Sequence, residues 1–531
     1  MSSLVGTGAL VRLALRRDRI ILAAFIVILV VMVAASANAT IKLYPSLASR
    51  LEVAATINDA TATLAMYGPI HDDTSIGALA TFKTGMLGAV AVAVLALLIV
   101  IRHTRTEEET GRLELLGATV VGRHAPLTAA LLVAGGAGLV SGVGTAVGLI
   151  AVGLPTAGSV VMGLGFVCLG IVFAAVAGVT AQLARSARPA AGMAGAALGV
   201  AYLVRAIGDA STANGFGWIS WLSPVGWWQQ SRPFAGNMWW VLALMLVVAV
   251  AVSALAYVLA ARRDFAAGLL PDRPGPATAS ASLRSPLALA WRLQRGSLFT
   301  WAATFATVGV VVGGLVSSVG NFANNPQARD FIIKLGGEHI LTDAYLALEL
   351  GIMGILAAVF GVRSVMRLRA EESSLLAEPV LATAVGRVRW AWSHLTVALA
   401  GSALLLVAVG CSAGLVSALQ LNDPGLGVRI LVGALVQIPA AWSVIGIVVA
   451  AFGLVPRAIV IGWVALLAFV LLGEFGPLFN LSQAVMNISP FAHVPRIPGG
   501  AFAIAPMLWL TAIAAGLIVL GLGGFRRRDV G

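Results

Sequence analysis

The side chains able to do chemistry are concentrated in one stretch, Arg105 to Arg123, RTEEETGRLELLGATVVGR. Acids and bases alternate there around a leucine-rich centre, so its chemistry is ion pairing and docking. The rest of the sequence offers little to an enzyme. No His, Cys and carboxylate group has metal-ligand spacing, and no nucleophile has a base in prospect. Lys42, Lys83 and Lys334 are the only lysines, and none closes a GxxxxGK[ST] phosphate loop. Cys168 and Cys411 lie in apolar runs and read as packing residues.

A degenerate copy of the charged stretch returns at Arg369 to Arg387, RAEESSLLAEPVLATAVGR, with 369 − 105 = 264 and 387 − 123 = 264. Glu107/Glu371, Glu108/Glu372, Glu114/Glu378, Thr119/Thr383 and Gly122/Gly386 all match at that offset. A gapless match of this length marks two fused copies of one unit.

The elements that position these islands are membrane spans. The 531 residues are 59% hydrophobic and 11% charged, with a mean hydropathy of +0.97, more apolar surface than a soluble fold can hide. Spans are expected near 20–37, 84–101, two within 126–181 broken at Leu154-Pro155, 189–207 and 239–261. The second half repeats the plan, with spans near 298–320 and 345–362, a break at Asn422-Asp423-Pro424-Gly425, a basic turn at Arg457 and Ser489-Pro490 echoing Ser223-Pro224. The expectation is an all-α polytopic membrane protein of twelve transmembrane helices, two parallel six-helix repeats. Residues 1–261 form the first unit, 262–284 a cytoplasmic Pro/Ala/Ser-rich linker and 285–531 the second unit.

Arg12, Arg16 and Arg19 alternate with Leu10, Leu13 and Ile20, the pattern of an interfacial helix, and Leu289 to Arg295 repeats it at an offset of 276. The tryptophans at 218, 221, 227 and 228 suit either a re-entrant element or an ordinary aromatic belt. With both termini and both islands inside a bacterial plasma membrane, 25 of the 34 Lys and Arg and 11 of the 22 acids face the cytoplasm. That positive-inside bias accounts for the net charge of +12, and the scatter of arginines over short loops argues against nucleic acid.

As a helix, the first island gains i,i+4 pairs Arg105/Glu109 and Glu108/Arg112 and an apolar stripe of Leu113, Leu116 and Val120, with Gly117 as its stop. A solvated connector has no need of such a stripe. The run resembles the cytoplasmic coupling helix of ABC-2 type exporter permeases, most closely the actinobacterial exporter-of-polyketide-antibiotics (tetronasin-type) family. The resemblance extends to the topology of the whole chain, but its specific motif is the islands alone. It implies a permease that meets two separate nucleotide-binding ATPase subunits, which carry ATP and Mg, while this chain holds no cofactor. Carried over, the docking residues are Glu107, Glu108, Gly111, Glu114, Leu115 and Leu116 in the first island and Glu371, Glu372, Glu378 and Val380 in the second. The second departs where Gly111 becomes Leu375 and Leu115-Leu116 becomes Pro379-Val380, with a bend expected at Pro379.

The resemblance also places the cargo pathway on spans two, five, eight and eleven. There the unusual residues are Met86, Met193, Tyr202, Tyr345, Glu349, Met353, Trp463 and Glu474. An acid within a span is a functional candidate by default, while the Met and aromatic positions also suit plain packing. Arg205 and Asp209 suit a structural pair. Glycines at four-residue spacing, Gly138/Gly142, Gly144/Gly148 and Gly195/Gly199, suit close helix approach. A hydrophobic or amphipathic cargo such as a drug fits an apolar pathway, and so does a lipid. An ion-coupled secondary transporter shares the twelve-span plan but calls for titratable groups deep in the membrane, and these are scarce.

Overall fold

A computed structural model describes the chain except residues 1–2, 60, 114–119, 265–266, 271–276, 323–337, 456–458, 460, 471, 473–481 and 529–531, and the side chains of 62, 213, 281, 317–322 and 338–341. The chain divides into two compact units, Met1–Gly275 and Pro276–Gly531.

In the first unit α1 (Thr7–Leu43) leads into α2 (Leu47–Asp59) and α3 (Thr61–Tyr67), followed by α4 (Ile76–Ile101). The spans then run α5 (Ala125–Ala151), α6 (Thr156–Leu183), α7 (Ala187–Ala210) and, after the short α8 (Pro224–Gln230), α9 (Trp239–Arg262). Leu154-Pro155 makes the expected break, because proline cannot donate to the preceding turn and opens α6 instead. In the second unit α10 (Pro286–Phe322) and α11 (Glu338–Ser373) precede the short α12 (Glu378–Leu381). Then come α13 (Arg387–Leu421), α14 (Pro424–Leu435), α15 (Ile438–Leu454), α16 (Ile461–Val470), α17 (Gln483–Met486) and α18 (Ile504–Arg527). Asn422 ends α13 in the left-handed conformation, and Asp423 caps α14 through Gly425 and Leu426.

Among the described residues eleven helices are long and apolar enough to cross a membrane, counting α14 and α15 as one. The twelfth expected span is represented by α16, whose ten described residues fall short of a crossing. The interfacial helices are not separate elements. α1 is continuous for 37 residues, about 55 Å, and α10 likewise runs 37 residues through its arginines. No proline interrupts either, and Asp18 in α1 is buried by partners on α4, so the helix gains by continuing.

The cores sit between helices at small residues. A Cβ on Gly142 would lie 2.3 Å from the Gly163 carbonyl oxygen, so α5 and α6 touch backbone to backbone. Gly195 and Gly199 are exposed and meet nothing within 4 Å, so they serve no helix contact within this unit. The tryptophan segment folds as a 3-10 turn, Gly217–Leu222, followed by α8. Trp218 is exposed, but Trp228 is buried in the first unit's core and stacks on Phe166 at 6.1 Å. Its ring fills space left by Gly85 and Gly165.

Candidate functional site

The islands are built as extensions of spans. At the end of α4 the helix widens into a π turn, Arg102–Thr106, and ends in a helical turn, Glu107–Glu109. Such widening is common at functional positions. It turns Arg105 into the unit, where its side chain is fully buried. Arg105 donates to the Ala181 carbonyl at the end of α6, to the Ala267 carbonyl at 2.9 Å and to Glu108 at 3.0 Å. Glu108 is buried too and accepts from Arg263, just past α9, at 2.7 and 3.1 Å. Arg263 also donates to Gln182 at 3.0 Å, and its own carbonyl accepts from Arg123 at 2.8 Å.

The second unit repeats this arrangement. Glu372 is held by Arg369 at 3.0 Å and by Arg528, just past α18, at 2.7 Å. The Arg528 carbonyl accepts from Arg387 at 2.6 Å, and its guanidinium lies over the rings of Phe452 and Phe525. Arg105/Arg369, Glu108/Glu372 and Arg123/Arg387 differ by 264 residues, and Arg263/Arg528 by 265. In each unit, therefore, one buried carboxylate joins the end of span two, the loop to the next span and the end of the last span. We call this arrangement the lock.

The neighbouring acids are also engaged. Glu107 pairs with Arg17 on α1 and, at 3.6 Å, with Arg112. Glu109 accepts from the Ala187 amide at the start of α7, 3.0 Å away. Glu371 pairs with Arg367 at 2.8 Å and His394 at 3.4 Å. Asp18 of α1 holds Arg102 at 3.1 Å and His103 at 2.6 Å.

These positions revise three expectations. The i,i+4 pairs are replaced by Arg105–Glu108 and Glu107–Arg112, because the π turn rotates the side chains. The acidic pairs Glu107/Glu108 and Glu371/Glu372 face inward on their own unit's cations, since a carboxylate at this depth is stable only when paired. Pro379 does not bend a helix: it occupies the first turn of α12, where its missing N–H is harmless. Gly111 and Leu375 hold the same left-handed turn, at φ 72° and 59°. The departure from glycine thus keeps the backbone path at a conformational cost.

Each island also leaves large apolar side chains outward, among exposed polar ones. Leu375 and Leu376 are 58% and 64% exposed, Glu378 is exposed beside them, and Val120 is 63% exposed in the first unit. Val380 instead packs on the second unit's core. Glu114, Leu115, Leu116 and Gly117 lie outside the described residues. Arg263, Arg528, Arg17 and Asp18 were not singled out as site residues. The signal available was the matching Arg-Arg-Asp at 262–264 and 527–529.

Two comparisons with known proteins bear on this geometry. The family profile described as "Multidrug efflux system permease Rv1217c, C-terminal domain" matches residues 283–526. The multidrug efflux system permease protein Rv1217c of Mycobacterium tuberculosis is 45% identical over 532 residues, spanning 100% of this chain and 96% of the relative. The chain belongs to this permease family. With its long apolar helices it is a multi-pass membrane protein of the permease class.

Within this permease the expected pathway residues separate. Met86 is buried in the first unit's core and Met353 in the second's. Met193 and Tyr202 pack half-buried on the first core, and the Tyr202 hydroxyl donates to the Met66 carbonyl at 2.6 Å. Arg205 and Asp209 form a buried pair at 3.2 Å, and Arg205 also holds the carbonyls of Ala65 and Met66. That network ties α7 to the α3 segment, a positioning role. Tyr345 packs against the second core, Glu349 is half-buried and Trp463 is 37% exposed. Glu474 lies outside the described residues.

Proposed function

We propose that this permease is the membrane subunit of an ATP-driven exporter of the ABC-2 type. Two separate nucleotide-binding subunits engage its two islands and supply ATP and Mg. The cargo is a hydrophobic or amphipathic compound of the drug or antibiotic class, as the relative's description as a multidrug efflux permease suggests. Both termini and both islands face the cytoplasm, on the arginine bias described above.

The lock is the observation that carries this reading. A subunit pressing on the island in the first unit meets Leu113 and Val120 on a loop whose start is bonded to α6, α7 and the end of α9. Displacement of the loop is therefore passed to several spans at once, since each bond involves a charged side chain and those of Arg105 and Glu108 are buried. A loop that merely joined two spans would not need a buried Arg–Glu–Arg arrangement, which costs desolvation in both units. The exposed leucines at 375 and 376 suit an apolar groove on a partner, because large apolar side chains left on a cytoplasmic turn otherwise lose free energy to water.

The test is the native mass of the complex isolated with this chain as bait. One copy of the chain with two nucleotide-binding subunits, reduced by Leu376→Asp, supports the reading. The chain alone, folded and still transporting, overturns it and favours an ion-coupled transporter.

A further inference from the structure

The second unit holds a cavity of about 660 Å³, the size of a drug-binding site. One wall is a single face of α11: Asp343, Ala344, Ala347, Leu348, Gly351 and Ile355. At about 100° per residue these six cover an arc of about 140° and run about 18 Å along the helix. Tyr345, Glu349 and Met353 lie on the other side of α11, where Tyr345 and Met353 pack on the core. The far wall comes from the segment after α17, with Phe491, Val494 and Arg496.

Gln437 lines the cavity as well. It sits at the joint between α14 and α15, is 6% exposed, and its amide makes no hydrogen bond among the described residues. Gly354 makes room for it, since a Cβ there would lie 2.8 Å from the Gln437 Oε1. That amide opens onto the cavity in the middle of a span, where it can donate twice and accept twice to whatever fills the space. Its setting is explained if a ligand supplies the partner. At the rim, Asp343 and Arg496 give one charge of each sign and form no ion pair with each other.

The matching part of the first unit is much narrower. Its cavity beside Trp228 and Arg232 is about 50 Å³. Counting from the matched Ser223-Pro224 and Ser489-Pro490, Val494 stands where the first unit has Trp228, with 489 − 223 = 266 and 494 − 228 = 266. By that count a small valine stands where the large indole fills the first unit's core.

We infer that this cavity is a cargo site confined to the second unit. It takes a drug-sized amphipath with an apolar body and a hydrogen-bonding group, such as a carbonyl or hydroxyl, that Gln437 pairs. Leu348, Ile355 and Phe491 receive the body, and Asp343 and Arg496 favour a net neutral or zwitterionic compound. The inference rests on the export reading above.

The test uses the full chain with its ATPase subunits in sealed vesicles, with the uncharged dye Nile red as probe. Dye binding is followed by fluorescence without ATP, and export with ATP. Gly351→Trp places an indole in the cavity at a position whose Cβ meets nothing within 4 Å, and loses both binding and export. Gln437→Leu raises the dye's KM by roughly fivefold to tenfold, while binding of the hydrocarbon diphenylhexatriene is unchanged. Val428→Trp, on an exposed face of α14, behaves as wild type. Wild-type binding and export in both cavity variants, each monodisperse, overturns the inference. If Gly351→Trp fails to fold, Gln437→Leu alone decides. Dye export that ignores ATP defeats the export reading instead, and leaves the binding result to be judged separately.

Discussion

Replacing Glu108 by Gln tests whether the lock is as strong as its burial implies. The substitution removes one charge and keeps the shape. Glu108 loses charge-assisted bonds to Arg105 at 3.0 Å and to Arg263 at 2.7 and 3.1 Å. Breaking a buried pair by removing one partner costs about 3–5 kcal/mol. Here Arg105 keeps the carbonyls of Ala181 and Ala267, and Arg263 keeps Gln182, so the cost falls at the lower end, about 3 kcal/mol. The equivalent Glu372→Gln should cost less. Arg369 is 30% and Arg528 16% exposed, so water screens the pair and replaces lost bonds, leaving about 1–2 kcal/mol. Glu378→Gln, on an exposed carboxylate, should stay within about 0.5 kcal/mol. Thermal melting of the purified protein reads the order. At about 2 °C per kcal/mol for units of this size, the first variant loses about 6 °C and the second about 2–4 °C. Equal melting of Glu108→Gln and Glu378→Gln would refute the reasoning, because it would mean that Glu108 is not held by buried cations.

Three further outcomes follow from named contacts. Leu375→Gly should stabilise the protein by about 1 kcal/mol, and Gly111→Leu should destabilise it similarly, because both positions have positive φ and a Cβ on Gly111 meets nothing within 4 Å; paired melting curves check the opposite signs. Gly165→Ala should cost about 1–3 kcal/mol and shift tryptophan fluorescence, since its Cβ would lie 2.7 Å from the Trp228 ring. His71, in the loop before α4, has its pKa lowered to about 4 by burial and then by Arg232. The unfolded chain therefore takes up this proton first. Stability from His71 is complete above about pH 6.5 and declines as pH falls towards 4, so His71→Gln should flatten the pH dependence of melting over that window.

Much of the fold is legible because its signals are local. Proline at the helix breaks and long apolar runs need only neighbouring residues to interpret, and the self-match at an offset of 264 is read by laying the sequence on itself. The islands show where that reading stops. Periodicity assigns Glu108 to a helix face but cannot say that Arg263, 155 residues away, buries it. The π turn in α4 has no composition of its own, so the predicted pairs were shifted by one residue. The proposed cargo site shows the same limit. Chemical rarity within span eight points to Tyr345, Glu349 and Met353, of which Tyr345 and Met353 pack on the core and none lines the cavity. The cavity face consists mainly of Ala, Gly and Leu, which look ordinary in sequence. The available clue was Gln437, an amide within an apolar run, together with the change from Trp228 to Val494 between the copies.

Energy coupling is the central claim, and the most direct measurement is dye export in sealed vesicles containing the intact complex. The account predicts export that requires ATP, continues when a protonophore collapses the ion gradients, and falls with Leu376→Asp while the chain remains folded. Export by this chain alone, driven by an imposed ion gradient and indifferent to ATP, would contradict it.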